Sequence, residues 1–127
     1  MVHSLQFFTS ITSVVQISVR LPNGDVAKVT HIGTVQLSST LIFENVLCIP
    51  TFSFNLVSIS KLTQSPSRCC IFLSPYCFIQ DLQPWKMIGL GKKQGGLYTL
   101  QPTSSATLPH SVIDIISKLS SLVQVVL

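Results

Sequence analysis

Four carboxylates, four cysteines and three histidines are the residues of this chain that could do acid–base, nucleophilic or metal chemistry. A carboxylate pair acts as general acid and base only when two of them meet in space and share a proton. The four are Asp25, Glu44, Asp81 and Asp114, and each falls where an ordinary structural role is expected. Asp25 follows Asn23-Gly24 in a turn, Glu44 lies on a strand, Asp81 ends one, and Asp114 stands at a helix start. Cys48, Cys69, Cys70 and Cys77 contain no C-x-x-C, and no histidine pair accompanies them, so a zinc spacing is absent. They read as free buried thiols in strands. His3, His31 and His110 are far apart in sequence, and nothing specific marks a Cys–His nucleophile pair. Gly89-Leu90-Gly91 followed by Gly95-Gly96 has a superficial likeness to a phosphate loop. It lacks G-x-x-x-x-G-K-S/T and a following helix, so a turn between strands is expected instead. The aromatic residues do not interleave with basic ones, which favours core packing over base stacking. No catalytic, cofactor-binding or metal site is therefore expected, and no small-molecule ligand.

The elements around these residues are mostly short strands. Val15, Ile17 and Val19 alternate with Gln16, Ser18 and Arg20, the period-2 pattern of a half-buried strand. Residues 1–13 show no clear period. Pro22-Asn23-Gly24-Asp25 follows, and Asn-Gly predicts a hairpin with a type I′ turn, positive in φ at both central residues. The return strand is expected over residues 25–31, with Gly33 breaking or bulging the ladder. Residues 34–38 and 40–47 are two further strands, and Pro50 closes that series. Leu56, Ile59 and Leu62 recur every three residues, so a short helix is expected over 55–62 with Asn55 as its cap. Strands are expected over 69–73 and 77–80 with Ser74-Pro75-Tyr76 between them. Two more, over 87–90 and 97–100, flank a turn over 91–96. Residues 102–109 read as a Ser/Thr/Pro-rich linker. Ser111 with Asp114 three residues later predicts an amphipathic C-terminal helix within 110–127. Regularly spaced short strands argue for a small closed barrel or sandwich.

Composition sets the outer limits. The chain has 127 residues, a mean hydropathy of +0.55, and only 9% charged residues, against about 25% in ordinary soluble domains. Intrinsic disorder and a charge-dense coiled coil are excluded. No run of about 18 apolar residues exists, so no helical membrane span is expected. The N-terminus lacks Lys or Arg before Arg20, so it does not read as a signal peptide, and an intracellular, reducing location is expected. The net charge of +4 comes from scattered residues, and only Lys92-Lys93 are adjacent. Such a pattern is not a nucleic-acid footprint. A chain this apolar points to a membrane, a partner or a piece of something larger, and the first of these is already set aside.

The order of short blocks is more specific than any single residue. Leu21-Pro22-Asn23-Gly24, His31-Ile32-Gly33 and Val35-Gln36-Leu37 come first, then Glu44-Asn45-Val46-Leu47-Cys48-Ile49-Pro50 and Phe54-Asn55-Leu56-Val57-Ser58-Ile59-Ser60-Lys61-Leu62. Cys77-Phe78-Ile79-Gln80-Asp81, Ile88-Gly89-Leu90-Gly91 and Gly96-Leu97-Tyr98-Thr99-Leu100 follow. The series resembles the retropepsin-like β-barrel domain of plant copia-type LTR-retrotransposon Gag-Pol polyproteins, over residues 1–101. The resemblance implies an all-β fold, a small retropepsin-like barrel with one helical turn, then the linker and tail. It also implies an aspartic peptidase, in which an Asp-Ser/Thr-Gly-Ala motif supplies one catalytic Asp per subunit of a dimer. This chain contains no Asp-Ser/Thr-Gly: Asp25, Asp81 and Asp114 are followed by Val, Leu and Ile. Met1 looks like the family's methionine just after that motif, so a domain incomplete at its N-terminus is expected.

Three readings follow from the residues and the resemblance. The first is a remnant of a Pol polyprotein β-barrel without catalytic activity. The second is an aspartic endopeptidase subunit that takes its Asp from a partner chain. The third is a small β-barrel that binds nucleic acid, which the scattered charges count against. An exposed edge strand is expected to cause association between copies, as a homodimer or otherwise.

Overall fold

The computed structural model describes residues 1–101. Its elements are a 3-10 turn (Leu5–Phe7), β1 (Ser10–Arg20), β2 (Val26–Gln36), β3 (Ile42–Cys48), α1 (Ile59–Leu62), β4 (Arg68–Leu73), β5 (Tyr76–Leu82), β6 (Trp85–Gln94) and β7 (Leu97–Gln101). The strands form two antiparallel sheets, β1-β2-β3 and β4-β5-β6-β7. The all-β expectation, with one short helical turn, holds. The tail helix and the linker expected after Gln101 lie outside the described residues. The chain divides into two compact units, Met1–Gln64 and Ser65 onward.

In the first unit β1 and β2 form a long hairpin. Its turn differs from the type I′ expected. Gly24 N–H donates to Leu21 O at 2.9 Å, Leu21 N–H donates to Asp25 O at 2.8 Å, and only Gly24, at φ 92°, is left-handed. Pro22 explains the change, because its ring holds φ near −65° and suits the first central position of an ordinary turn. Gly24 then takes the bulge position that closes a three-residue loop. β2 continues through Gly33 to Gln36, so the two strands expected there are one. The expected bulge does occur, between Gly33 and Val35 against β3. On the β3 side it includes Asn45 at φ 54°, the only non-glycine residue in the left-handed region among those described. Asn tolerates that region better than branched residues do, which accounts for an Asn in the Asn45-Val46-Leu47 block.

Two apolar clusters hold this unit. Ala27, Val29 and Ile49 are buried with Val15, Val19, Leu21, Leu47 and Phe52 packed on them. Val2, Val35 and Cys48 form the other, with Phe7, Phe8 and Val46. Each fully buried aliphatic side chain stabilises the unit by about 1.5–3 kcal/mol. The short helix begins later than expected. Ser58, not Asn55, is its cap, and Ser58 Oγ accepts from Lys61 N–H at 3.4 Å.

The second sheet is a meander. β5 is buried on both faces from Cys77 to Gln80. Phe78 and Leu90 form its core with Ile71, Leu73, Tyr76 and Met87. Gln80 is the polar exception: it is 0% exposed, and neither amide atom has a hydrogen-bond partner among the described residues. Such a group costs about 1–3 kcal/mol. β6 runs on through Lys92 and Lys93 to Gln94, so the six-residue turn expected over 91–96 shrinks to two. Gly95 and Gly96, at φ 56° and 85°, make that turn, and their freedom at positive φ lets Gln94 pair with Leu97.

Candidate functional site

The two units place the chemistry-bearing residues apart in role. Asp25 is held in the hairpin turn: its Oδ2 accepts from Asn23 Nδ2 at 2.7 Å, and its own N–H donates to Asn23 Oδ1 at 3.1 Å. Glu44 is exposed on β3. Asp81 sits opposite Arg68 in the β4–β5 ladder, and Arg68 Nε donates to its Oδ1 at 3.1 Å. That ion pair matches the Asp81 charge across two partly exposed side chains, and such a pair is worth about 1 kcal/mol or less. Within neither unit do two described carboxylates approach each other through a shared hydrogen bond. Asp114 and His110 lie outside the described residues.

One juxtaposition was not legible beforehand. β2 and β3 place His31 directly opposite Cys48. A Cys–His nucleophile needs a thiolate that a substrate can reach. Cys48 is 1% exposed and closed in by Val2 and Val35, and His31 Nδ1 lies 2.9 Å from Thr30 Oγ1. The pair is built as packing. His3 is likewise structural. Its ring meets Phe7 edge-on at 5.2 Å, and Asn55 Oδ1 lies 2.9 Å from its Nδ1.

The same Asn55 belongs to a backbone clamp on residues 1–3. Asn55 Oδ1 accepts from His3 N–H at 3.1 Å. Val2 N–H donates to Leu47 O at 2.9 Å, and Ile49 N–H donates to Val2 O at 2.8 Å. Leu56 N–H donates to Met1 O at 2.9 Å, and Met1 N donates to Leu56 O at 2.7 Å. The Val46-Leu47-Cys48-Ile49 and Asn55-Leu56 blocks thus grip the N-terminal residues from two sides. This explains Asn55 better than the helix cap expected of it.

All four cysteines are free and lie in strands, but only Cys48 and Cys77 are buried; Cys69 and Cys70 are half-buried, short of the burial expected of them. In the second unit Cys69, Cys70 and Cys77 lie together on β4 and β5. Burial pushes their thiols above the ordinary value of 9.0. The neighbouring thiol adds to the shift at Cys70 and Cys77, while Arg68 and the Gly91 backbone oppose it. A raised folded-state pKa means that the folded chain holds the proton more tightly than the unfolded chain. That contribution is complete below 9.0 and is lost as pH rises through the raised values. These thiols are therefore expected to make the urea midpoint fall in the alkaline range above 9. Iodoacetamide should label these thiols slowly in the folded chain and rapidly in urea. Equal labelling rates in the two states would contradict this.

A shallow depression on the β1–β2 ladder is lined by Gln16, Ile17, Ser18, Lys28, Val29 and Thr30. It presents no carboxylate, thiol or imidazole. Gly89 and Gly91 lie inside β6, opposite Ile79 and Cys77, so no phosphate-cradling loop forms there. Among the described residues no group of three His, Cys, Asp or Glu could hold a metal ion, and no helix is long and apolar enough to cross a membrane.

The family model described as Pol polyprotein, beta-barrel domain, matches residues 1–66. The match nearly coincides with the first compact unit, Met1–Gln64. Neither the curated proteins nor the solved structures give a match.

Proposed function

The chain belongs to the Pol polyprotein β-barrel domain family, and from that premise we propose that it is a non-catalytic β-domain of a retrotransposon Pol polyprotein, of the plant copia type with a retropepsin-like pattern. The observation that carries this reading is the employment of its carboxylates. Acid proteolysis needs two carboxylates that share a proton beside a lytic water. Among the described residues Asp25 is tied to Asn23, Asp81 is tied to Arg68, and Glu44 is exposed. The sequence carries no Asp-Ser/Thr-Gly to provide another. The blocks beyond the family match, such as Ile88-Gly89-Leu90-Gly91 and Gly96-Leu97-Tyr98, support the copia assignment. The role left to the domain is that of a folded segment within a polyprotein.

Pepstatin tests this reading, because it binds the paired carboxylates of an aspartic peptidase in place of the transition state. The thermal unfolding of the purified chain is expected to be the same with and without saturating pepstatin. A rise in midpoint that grows with pepstatin concentration would mean that a carboxylate pair is assembled, and would overturn the proposal.

A further inference from the structure

The first sheet ends on an unusual edge. β1 is its outer strand and is exposed over most of its length. It runs for 11 residues and carries a single charge, Arg20, at its end. Natural edges are ordinarily guarded by lysines, prolines or shortness, and β1 has none of these between Ser10 and Val19.

Its exposed apolar residues are Ile11, Val14 and Ile17, with Val14 the most open at 74%. A spacing of three would scatter them over both faces of a regular strand. Two irregularities, between Ile11 and Ser13 and between Val14 and Ile17, correct this. Ile11 pairs with Gly33, Val14 with His31 and Ile17 with Val29, which are alternate residues of β2. The three therefore share one face, the face on which β2 buries Ala27 and Val29. Bulges often blunt an edge; here they gather an apolar stripe along it.

We propose that this edge is a self-association surface, on which a second copy of the chain pairs antiparallel with β1 about a two-fold axis at Val14. The spacing is self-complementary about that residue. Two-fold pairing sets Val14 against Val14, Ile11 against Ile17 and Ser10 against Ser18. Charge agrees as well: Arg20 falls beyond the paired span, so this positively charged chain brings no like charges together in the new ladder. The contact spans nine residues of each copy, roughly 30 Å of strand. A single strand pair with three apolar side chains from each copy lies at the small end of specific interfaces. The dimer is accordingly one that dissociates on dilution. An isologous contact of this kind closes on itself and yields a dimer, not a fibre.

Sedimentation velocity of the full chain over a concentration series tests the proposal. Wild type is expected to pass from monomer to dimer. Val14→Lys, at an exposed position, should keep the same circular dichroism and raise the dissociation constant at least roughly tenfold, since two lysines would then face each other. Ile11→Thr with Ile17→Thr, which keeps the strand β-branched, should weaken the dimer in the same direction. Under mild oxidation Val14→Cys should cross-link to its own copy far faster than Lys28→Cys. Directly opposed residues of an antiparallel pair fall within disulfide reach. A wild-type chain that stays monomeric throughout overturns the proposal. So does a dimer indifferent to Val14→Lys, or equal cross-linking at the two positions. Open-ended aggregation in place of a closed dimer also overturns it. A monomer whose β1 amides resist exchange would show the edge covered by another segment of this chain, and would overturn it too.

Discussion

Replacing Gly33 with valine is expected to unfold the first sheet. A Cβ at this position would run into the backbone oxygen of Ser10 and lie 2.8 Å from Cδ1 of Phe8. The first of these is backbone and has nowhere to move without breaking the β1–β2 ladder, in which Ile11 faces Gly33 and Ser10 faces Thr34. The second would lift Phe8 off the cluster of Val2, Val35 and Cys48. The side chain is excluded by space, since Gly33 is not a positive-φ residue. Overpacking that forces backbone to shift costs about 1–3 kcal/mol, occasionally more, a sizeable share of the roughly 5–15 kcal/mol that holds an ordinary domain together. Urea unfolding followed by circular dichroism should show a strongly lowered midpoint, and amide exchange should lose its protection across β1, β2 and β3. A Gly33→Val chain with unchanged exchange in β1 would contradict this.

Phe78→Ala should do comparable damage in the second sheet. Phe78 is 0% exposed, pairs with both Ile71 and Leu90, and is the largest fully buried side chain of the described residues. Truncating a buried phenylalanine costs about 3–5 kcal/mol, because the lost transfer energy adds to the cavity left behind. The two described units each have their own core residues. Loss of exchange protection is therefore expected from β4 to β7, with β1 to β3 keeping theirs. Equal loss in both sheets would mean that the units unfold as one.

The two substitutions also mark what the sequence could tell. β5 reads as a strand because Cys77-Phe78-Ile79 is a continuous apolar run, and its burial on both faces follows from that. The tail of β1 reads correctly because Val15, Ile17 and Val19 alternate, while its beginning does not. The irregularities near Ile11 and Val14 break the period and hide a strand that starts at Ser10. The extension of β6 through Lys92 and Lys93 was hidden by their charge, which suggests a loop but is acceptable on an exposed stretch of ladder. Asn23-Gly24 predicts a turn centred on that pair, but Pro22 draws the turn one residue earlier, onto Pro22-Asn23, and leaves Gly24 as the bulge. Asn55 shows the other limit. Its partner His3 is 52 positions away, and no local pattern announces so distant a contact. The same holds for His31 opposite Cys48. The absence of Asp-Ser/Thr-Gly, by contrast, is a fact of the sequence itself, since the motif is local. The family assignment rested on the order of blocks, and the structure now gives several of those blocks a physical task. Gly33 admits the Ser10 backbone, Asn45 turns a bulge, and Leu47, Ile49, Asn55 and Leu56 grip residues 1–3.

As a non-catalytic Pol β-domain the chain is expected to perform no proteolysis of its own, which a turnover assay decides. The purified full chain is incubated with a mixture of peptide substrates from acidic to neutral pH, with and without pepstatin, and cleavage is followed by mass spectrometry. Product formation is expected to be no faster than in buffer at every pH. Pepstatin-sensitive cleavage that rises with chain concentration would contradict it.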